Sequence, residues 1–518
     1  MLSYIVRSKA TMKRFIKFLH SSKFMFYFTF LLNVAFVVTS LIINPKIFAI
    51  GQSVGIVLAL LVIAFTISGK HYSSAGIIIV FILPLFGLCL YIYLKENKGS
   101  SRRRRAWQNI AFKTSSVLLP NQQVIDDLVS ENGYQGKISN YVLNTTNMPV
   151  YQNTTTKYIT EADVYFDNVL EELKKAERYI FIESYIIEQG NLWNNIFNIL
   201  KIKARQGVEV KVLYDDYGSA NRFEDSKIFR KLENYCIEAV PFNKIRLFSS
   251  TIVNMRTKRK MFVIDGKTAF ISGLNIGDLY VNYKQMYGSW KDTGLMLTGE
   301  AVWSMAMLFL TDWQFATKKD VDLSSYRTTI ATKRKANEWV QPFGVSPYSL
   351  DIHAKNMYAS LFSTASKSIY IATPELMLDR DGINELKIAA KSGIDVRIIF
   401  PTIPTNKYRH LVSQEHFVEL IKAGVKIYEY TPGFMHEKSI IIDGTTAMFG
   451  NISLDFRSMH THFENAVLIY GGNTVQEIKF DYERTLNSCH MLTMKDMRSR
   501  KWTIKLWSKF LKLFEHIT

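Results

Sequence analysis

The chain has 518 residues, a net charge of +19 from 64 Lys or Arg against 45 Asp or Glu, and three cysteines. The length allows two or three domains, and Cys89, Cys236 and Cys489 are too few and too scattered for a disulfide framework or a thiolate zinc site. The charge is uneven: residues 1–105 hold 14 Lys or Arg and one acid, Glu96, and these basic residues flank apolar segments, which points to a membrane and away from nucleic acid.

Three uncharged apolar stretches come first, at 24–43, 47–68 and 73–94. Each is about 20 residues, the length of a membrane-spanning helix. Residues 1–95 are therefore predicted to be a membrane anchor of two or three helices, followed by a basic linker over 96–122. Basic residues flank both ends of the anchor, so the positive-inside rule does not settle three spans. The run Arg102, Arg103, Arg104, Arg105 is the densest and is expected on the cytoplasmic side. The expected location is the cell membrane, multi-pass, with the remaining body in the cytoplasm.

From residue 123 the texture becomes α/β. The stretch DVYFDNVLEELKKAERYIFIESYII reads as an amphipathic helix followed by a strand that carries Glu183. NIFNILKIKARQG reads as a helix closed at Gly207, and VEVKVLYDD as the next strand. The second half repeats this order: SLFSTASKSIYIATPE, then INELKIAAKSG closed at Gly393, then IDVRIIFP. Alternating helices and strands predict mixed sheets covered by helices. The expectation is an α/β fold of two similar domains with pseudo-twofold symmetry, at 123–317 and 346–518, joined by a linker over 318–345.

A motif repeats at an offset of 178 residues. One copy is MHEKSIIIDGTTAMFGNIS, with His436, Lys438 and Asp443; the other is TKRKMFVIDGKTAFISGLN, with Lys258, Lys260 and Asp265. Each reads as a strand, a tight Asp-Gly turn and a second strand. Residues two apart on a strand face the same way, so His436 projects with Lys438 and Lys258 with Lys260. Fifteen residues past each second lysine stands a small polar residue, Asn275 or Ser453. Converging cations and amide or hydroxyl donors suit a phosphate, and a histidine beside them can attack phosphorus or protonate a leaving alcohol.

On these motifs, and on FIESYIIEQGNLW, GVEVKVLYDDYGS, WKDT, YEYTPGFMHEK, LDFRS and HFE, the chain resembles the phospholipase D superfamily and, within it, the bacterial cardiolipin synthases. The resemblance implies two His-Lys-Asp motifs meeting at a domain interface, no metal and no cofactor. It implies that one histidine forms a phosphatidyl-histidine intermediate, that the other acts as acid and then base, and that two phosphatidylglycerols give cardiolipin and glycerol. Carried over, His436 and Lys438 match the second motif, Lys260 the first-motif lysine, and Asp265 and Asp443 the two largely structural aspartates. Glu464 in HFE matches the carboxylate that orients the catalytic imidazole, and Asp292 in WKDT its counterpart in the first half. The implied partners are anionic phospholipids (phosphatidylglycerol and cardiolipin) and a membrane, with no nucleic acid; oligomeric state stays open.

The departures from that pattern cluster at the site. Lys258 stands where the first histidine belongs, Ser453 replaces Asn, Glu375 replaces Tyr, Ser272 replaces Gly, and Met255 stands where an acid is common. Lys258 is expected to pair with Asp292 and bind phosphate as a fixed cation. Two alternatives to a working synthase are a weakened paralogue that binds anionic phospholipid or regulates an active synthase, and a phosphodiesterase or nuclease. His460 and His462 read as an ordinary strand or loop face. The tail SRKWTIKLWSKFLKLFEHIT reads either as an interfacial helix on anionic lipid or as a helix packed on its own domain.

Overall fold

The computed structural model describes residues 101–219, 222–223, 228–244, 254–329, 336–349 and 353–512, with separate positions between 31 and 57. The three predicted membrane segments lie largely outside these residues. Among the described residues no helix is long and apolar enough to cross a membrane.

The first half contains β1 (Thr154–Ile159), β2 (Tyr179–Ser184), β3 (Glu209–Asp215), β4 (Ile237–Phe242), β5 (Met261–Ile264), β6 (Thr268–Ser272), β7 (Ser289–Lys291) and β8 (Gly294–Gly299). All but β7 form one sheet, in the order β1-β8-β6-β5-β2-β3-β4. The second half contains β9 (Glu338–Val345), β10 (Ser368–Ala372), β11 (Asp395–Pro401), β12 (Lys426–Tyr430), β13 (Gly433–Met435), β14 (Ser439–Ile442), β15 (Thr446–Gly450), β16 (Glu464–Gly471) and β17 (Cys489–Met491). All but β13 form the second sheet, β9-β16-β15-β14-β10-β11-β12-β17. The two orders coincide strand for strand, with β17 added at one edge.

The local reasons are also duplicated. The helices Asn191–Arg205 and Arg380–Lys391 connect parallel pairs, β2 to β3 and β10 to β11. Each is followed by a glycine, Gly207 or Gly393, at φ 90°, a left-handed position that glycine adopts without strain. Each motif hairpin turns through an Asp-Gly pair with positive φ at both residues: 54° and 65° at Asp265 and Gly266, 54° and 68° at Asp443 and Gly444. The Asp265 carboxylate accepts the backbone N–H groups of Glu177, Arg178 and Tyr179 at 2.8–2.9 Å. Asp443 accepts those of Ser366, Lys367 and Ser368 at 2.7–2.9 Å. Both aspartates thus tie the hairpin to the start of the central strand, β2 or β10.

Two stretches read as linkers carry structure. Residues Ser101–Ser115, inside the basic 96–122 stretch, form a helix. Its one large buried side chain, Trp107, donates its indole N–H to Asp312 at 3.2 Å, and Arg103 donates to Asn243 at 2.6 Å. One tryptophan among charged residues gave the sequence no apolar period to show. Within 318–345, Glu338–Val345 is β9, the edge strand beside β16. Its Pro342 lacks an N–H and is compatible with a sheet only at such an edge. Between the halves runs the helix Val302–Thr317, which touches β2, β5, β6 and β8 on one side and β9 on the other. It is apolar nearly all round and almost wholly buried. Its Asp312 pairs with Arg259 of the first motif at 2.9 Å.

The C-terminal helix Trp502–Lys512 is packed on its own domain. It packs on the helix Lys407–Ala423, where Tyr408 donates to the carbonyl of Leu511 at 2.9 Å and Ser508 donates to Glu415. Its other face is exposed and apolar, with Trp502 at 74%, Leu506 at 61% and Trp507 at 59% exposure.

The duplicated turn sets a stability expectation. Asp265→Ala removes three charge-assisted hydrogen bonds at a buried site and lowers stability by about 2–4 kcal/mol. Asp443→Ala costs less, because Asp443 is partly exposed and water replaces the lost acceptor. Denaturant midpoints of the two variants check the order; equal or reversed losses contradict it.

Candidate active site

The two halves exchange backbone at their interface, and this places the site. β7 of the first half pairs in parallel with β13 of the second. The pairing continues one residue further, with the His436 N–H donating to the Lys291 carbonyl at 2.8 Å. The mirror event is the parallel bridge Thr257↔Phe463, with the Lys258 N–H donating to the Phe463 carbonyl at 2.8 Å. Each motif therefore begins beside the segment of the other half that ends in a carboxylate: Asp292 after β7, Glu464 after Phe463.

The first-half carboxylate accordingly serves the second motif. His436 Nδ1 lies 2.5 Å from Asp292 Oδ2, and Asp292 is fully buried. This corrects two expectations: Glu464 does not orient His436, and Lys258 does not pair with Asp292. The sequence shows which residues match but not that the halves cross. Gly273 leaves room for this contact, since a Cβ there would sit 2.5 Å from the Asp292 carboxylate. The imidazole packs against the Trp290 and Phe434 rings, at centroid distances of 4.9 and 5.6 Å. Burial and the neighbouring Lys438, Lys260 and Lys258 hold His436 well below the usual histidine range. Burial lifts Asp292 to about 6, against the pull of Lys438 and Lys260. At neutral pH the arrangement is a neutral imidazole whose Nδ1–H donates to an ionised carboxylate, which leaves a lone pair on Nε2.

The mirror position is incomplete. Lys258 has its ammonium 3.5 Å from the centroid of the Tyr185 ring, a cation–π contact. Glu464 accepts from Ser458 Oγ at 2.9 Å through Oε1, while its Oε2 is buried with no hydrogen-bond partner. Burial raises this carboxyl to about 8 despite Lys260 and Lys258 nearby.

Both second-position lysines turn back on their own strands. Lys438 donates to the His436 carbonyl at 2.6 Å, and Lys260 to the Lys258 carbonyl at 2.9 Å. Burial, with Lys438 close by, lowers Lys260 to about 7, and burial lowers Lys438 as well. Three lysines and one neutral imidazole thus share one electrostatic neighbourhood, which suits a phosphate monoanion and an attacking Nε2.

The remaining predicted residues divide. Asn275 accepts the Ile186 N–H at 3.3 Å through Oδ1, so it holds the turn after β2. Ser453 is buried near the second motif. Glu375 is taken up by Arg409, at 2.9 and 3.0 Å. Met255 joins the hydrophobic core, and the Ser272 hydroxyl accepts the Leu274 N–H at 3.2 Å. Asp265 and Asp443 stand at the hairpins, away from the imidazole. Sequence reading missed Tyr185, the aromatic face under Lys258; a tyrosine in a strand-like run carries no signal of that role. Among the described residues no group of three or more His, Cys, Asp or Glu is arranged to hold a metal ion.

The Lys260 environment sets a pH dependence. With its pKa near 7, Lys260 loses its charge as pH rises through that value, and anion affinity falls with it. Binding of a phosphodiester anion of constant charge is expected to weaken between pH 6 and 8.5, and Lys260→Ala to flatten the profile. An unchanged profile in that variant contradicts the assignment.

The comparisons with known proteins find relatives over both halves of the chain. The family model described as "Cardiolipin synthase, PLD-like domain" matches residues 169–285 and 358–486, one segment in each half. A cardiolipin synthase of Geobacillus sp. is 32% identical over 465 residues, covering 88% of this chain and 91% of that protein. An uncharacterised protein of Streptococcus mutans is 35% identical over 443 residues, covering 84% of this chain and 94% of its own length. Among solved structures, phosphatidylserine synthase of Haemophilus influenzae aligns with a TM-score of 0.56 at 15% identity, covering 74% of this chain and all of that one, a likeness of fold.

Proposed function

Because the chain belongs to the cardiolipin synthase family of the phospholipase D superfamily, we propose that it is a phosphatidyltransferase joining two phosphatidylglycerols into cardiolipin and glycerol, with His436 as the attacking group. The observation that carries the reading is the intact His436–Asp292 pair, in which a buried carboxylate orients a neutral imidazole beside three lysines. In the first step Nε2 attacks phosphorus, the phosphatidyl group passes to His436, and the leaving glycerol oxygen takes a proton. In the second step the acceptor hydroxyl gives up a proton, attacks phosphorus and frees the imidazole. Lys258, Lys260 and Lys438 hold the phosphate through both steps.

The incomplete mirror position bears on speed. A positioned acid or base contributes about 10²–10⁴-fold, so turnover is slower than in a relative with both histidines. The buried, unpartnered Glu464 oxygen favours the second reading, a paralogue that binds anionic phospholipid with little turnover. We place the protein in the cell membrane through its apolar segments, with the α/β body in the cytoplasm. The outward Trp502, Leu506 and Trp507, with lysines along the helix, support contact with an anionic lipid surface.

Cardiolipin formation by purified wild type, Lys258→His and His436→Ala tests the chemistry. Lys258→His is expected to raise the rate by about tenfold or more, and His436→Ala to abolish it. If His436→Ala leaves the rate unchanged, the centre is misassigned; if wild type is fast and Lys258→His slower, Lys258 is an adapted catalytic group. The orientation is checked separately with a reporter fused after residue 518, expected to be active only in the cytoplasm; activity only outside the cell reverses it.

A further inference from the structure

One buried imidazole has no part in the chemistry so far. His462 is 6% exposed, and its Nδ1 has no hydrogen-bond partner. That Nδ1 lies 3.5 Å from Glu464 Oε1, the carboxyl whose other oxygen is also buried and unpartnered. Two buried polar groups left unsatisfied side by side are costly in a folded protein and call for an explanation.

The backbone sets where this imidazole points. In the parallel bridge Thr257↔Phe463, those two side chains share one face and their neighbours take the other. Thr257 indeed donates to the interior Glu183 at 2.6 Å, and the Phe463 ring packs on Trp107 with a centroid distance of 6.0 Å. His462 and Glu464 therefore face the same side as Arg256 and Lys258. Burial depresses His462, and Lys258, Arg457, Arg409 and Arg256 add to it. The same lysine adds to the burial, Lys438 and Lys260 that depress His436. Lys258 thus lies within electrostatic reach of both imidazoles.

Resting on the phosphatidyltransferase reading, we propose that His462, backed by Glu464, supplies the proton-transfer imidazole that the first motif lost at position 258. The first motif offers Lys258 to the phosphate, and the second half provides both the attacking and the proton-carrying imidazole. In the first step a bond forms from His436 Nε2 to phosphorus and the bond from phosphorus to the glycerol oxygen breaks. That oxygen takes the Nε2 proton of His462, while the Glu464 carboxyl passes its proton to His462 Nδ1. In the second step the acceptor hydroxyl returns a proton to His462 Nε2 and Nδ1 returns one to Glu464. The acceptor oxygen bonds to phosphorus and the bond to His436 breaks. The proton supply fits a carboxyl raised to about 8 by burial. The 3.5 Å separation must shorten to a hydrogen bond when lipid phosphate offsets the surrounding cations, as catalytic contacts in unliganded enzymes commonly do.

The test is a double-mutant cycle on full-length protein in phosphatidylglycerol vesicles, measuring cardiolipin formation from pH 6 to 9. His462→Ala and the milder His462→Asn are each made in wild type and in Lys258→His, with thermal midpoints recorded. In wild type both are expected to lower the rate by about tenfold or more, and the wild-type rate to fall as pH passes about 8. With Lys258→His in place the loss is expected to shrink to below about threefold, because Glu464 then has an imidazole at its family position. Equal losses in the two backgrounds make His462 structural and overturn the inference, as does no loss in wild type or a wild type with no turnover. Failure of the underlying reading is seen separately: His436→Ala then keeps the wild-type rate, whatever happens at position 462.

Discussion

The site depends on a backbone exchange. β7 lies against β13, and residues 256–258 lie against Phe463, so each motif is built on the other half of the chain. Without that exchange Asp292 and His436, 144 residues apart, have no reason to meet. Their contact takes a carboxylate out of water, which is strongly unfavourable unless a hydrogen-bonding partner is fixed in place. The partner is fixed by the His436 N–H bond to the Lys291 carbonyl, next to Asp292 in sequence. The backbone of one half thereby sets both the imidazole's position and its tautomer.

The same symmetry shows what the lysine at 258 changes. At the mirror position the carboxylate arrives as expected, but it meets no imidazole on the first motif. Lys258 extends to the Tyr185 ring, and Glu464 is left with one oxygen satisfied by Ser458 and one by nothing. A buried acceptor without a donor costs about 1–3 kcal/mol, and a carboxyl in that state keeps its proton. One side of the cleft therefore holds a neutral imidazole on an ionised acid, and the other a neutral acid facing an imidazole from its own half. The residues after Lys258 and His436 also differ. Arg259 pairs with Asp312 in the interior, whereas Glu437 sits near Lys291 and Asp481, and burial raises it to about 7. The duplicated backbone has kept its form while the two charge sets have diverged.

Much of the fold was legible because its signals are local. The apolar runs of β2 and β10, the glycines 207 and 393, and the two Asp-Gly turns each specify structure within a few residues. Their repetition in the same order implied two similar sheets. The motif residues were legible for the same reason. Their partners were not: spacing shows that Asp292 and Glu464 belong to the site, but the crossing of the halves is a tertiary fact with no local trace. Asn275 was legible only in part. Its place in the motif suggested a phosphate donor, and nothing local showed that its side-chain oxygen holds the Ile186 N–H. His462 was read as an ordinary loop residue because nothing in THFE says which side of a bridge it faces. The helix at Ser101–Ser115 was hidden by its charge, and β9 by Pro342.

The most direct measurement of the central claim, that chemistry runs on the pair formed by the two halves, is the site of the covalent intermediate. Full-length protein is mixed with phosphatidylglycerol, quenched in alkali to preserve phosphorus–nitrogen bonds, digested and mapped by mass spectrometry. The expected result is a phosphatidyl adduct on His436 that is greatly reduced by Asp292→Ala. An adduct on Lys258, or one on His436 that is indifferent to Asp292, contradicts the account.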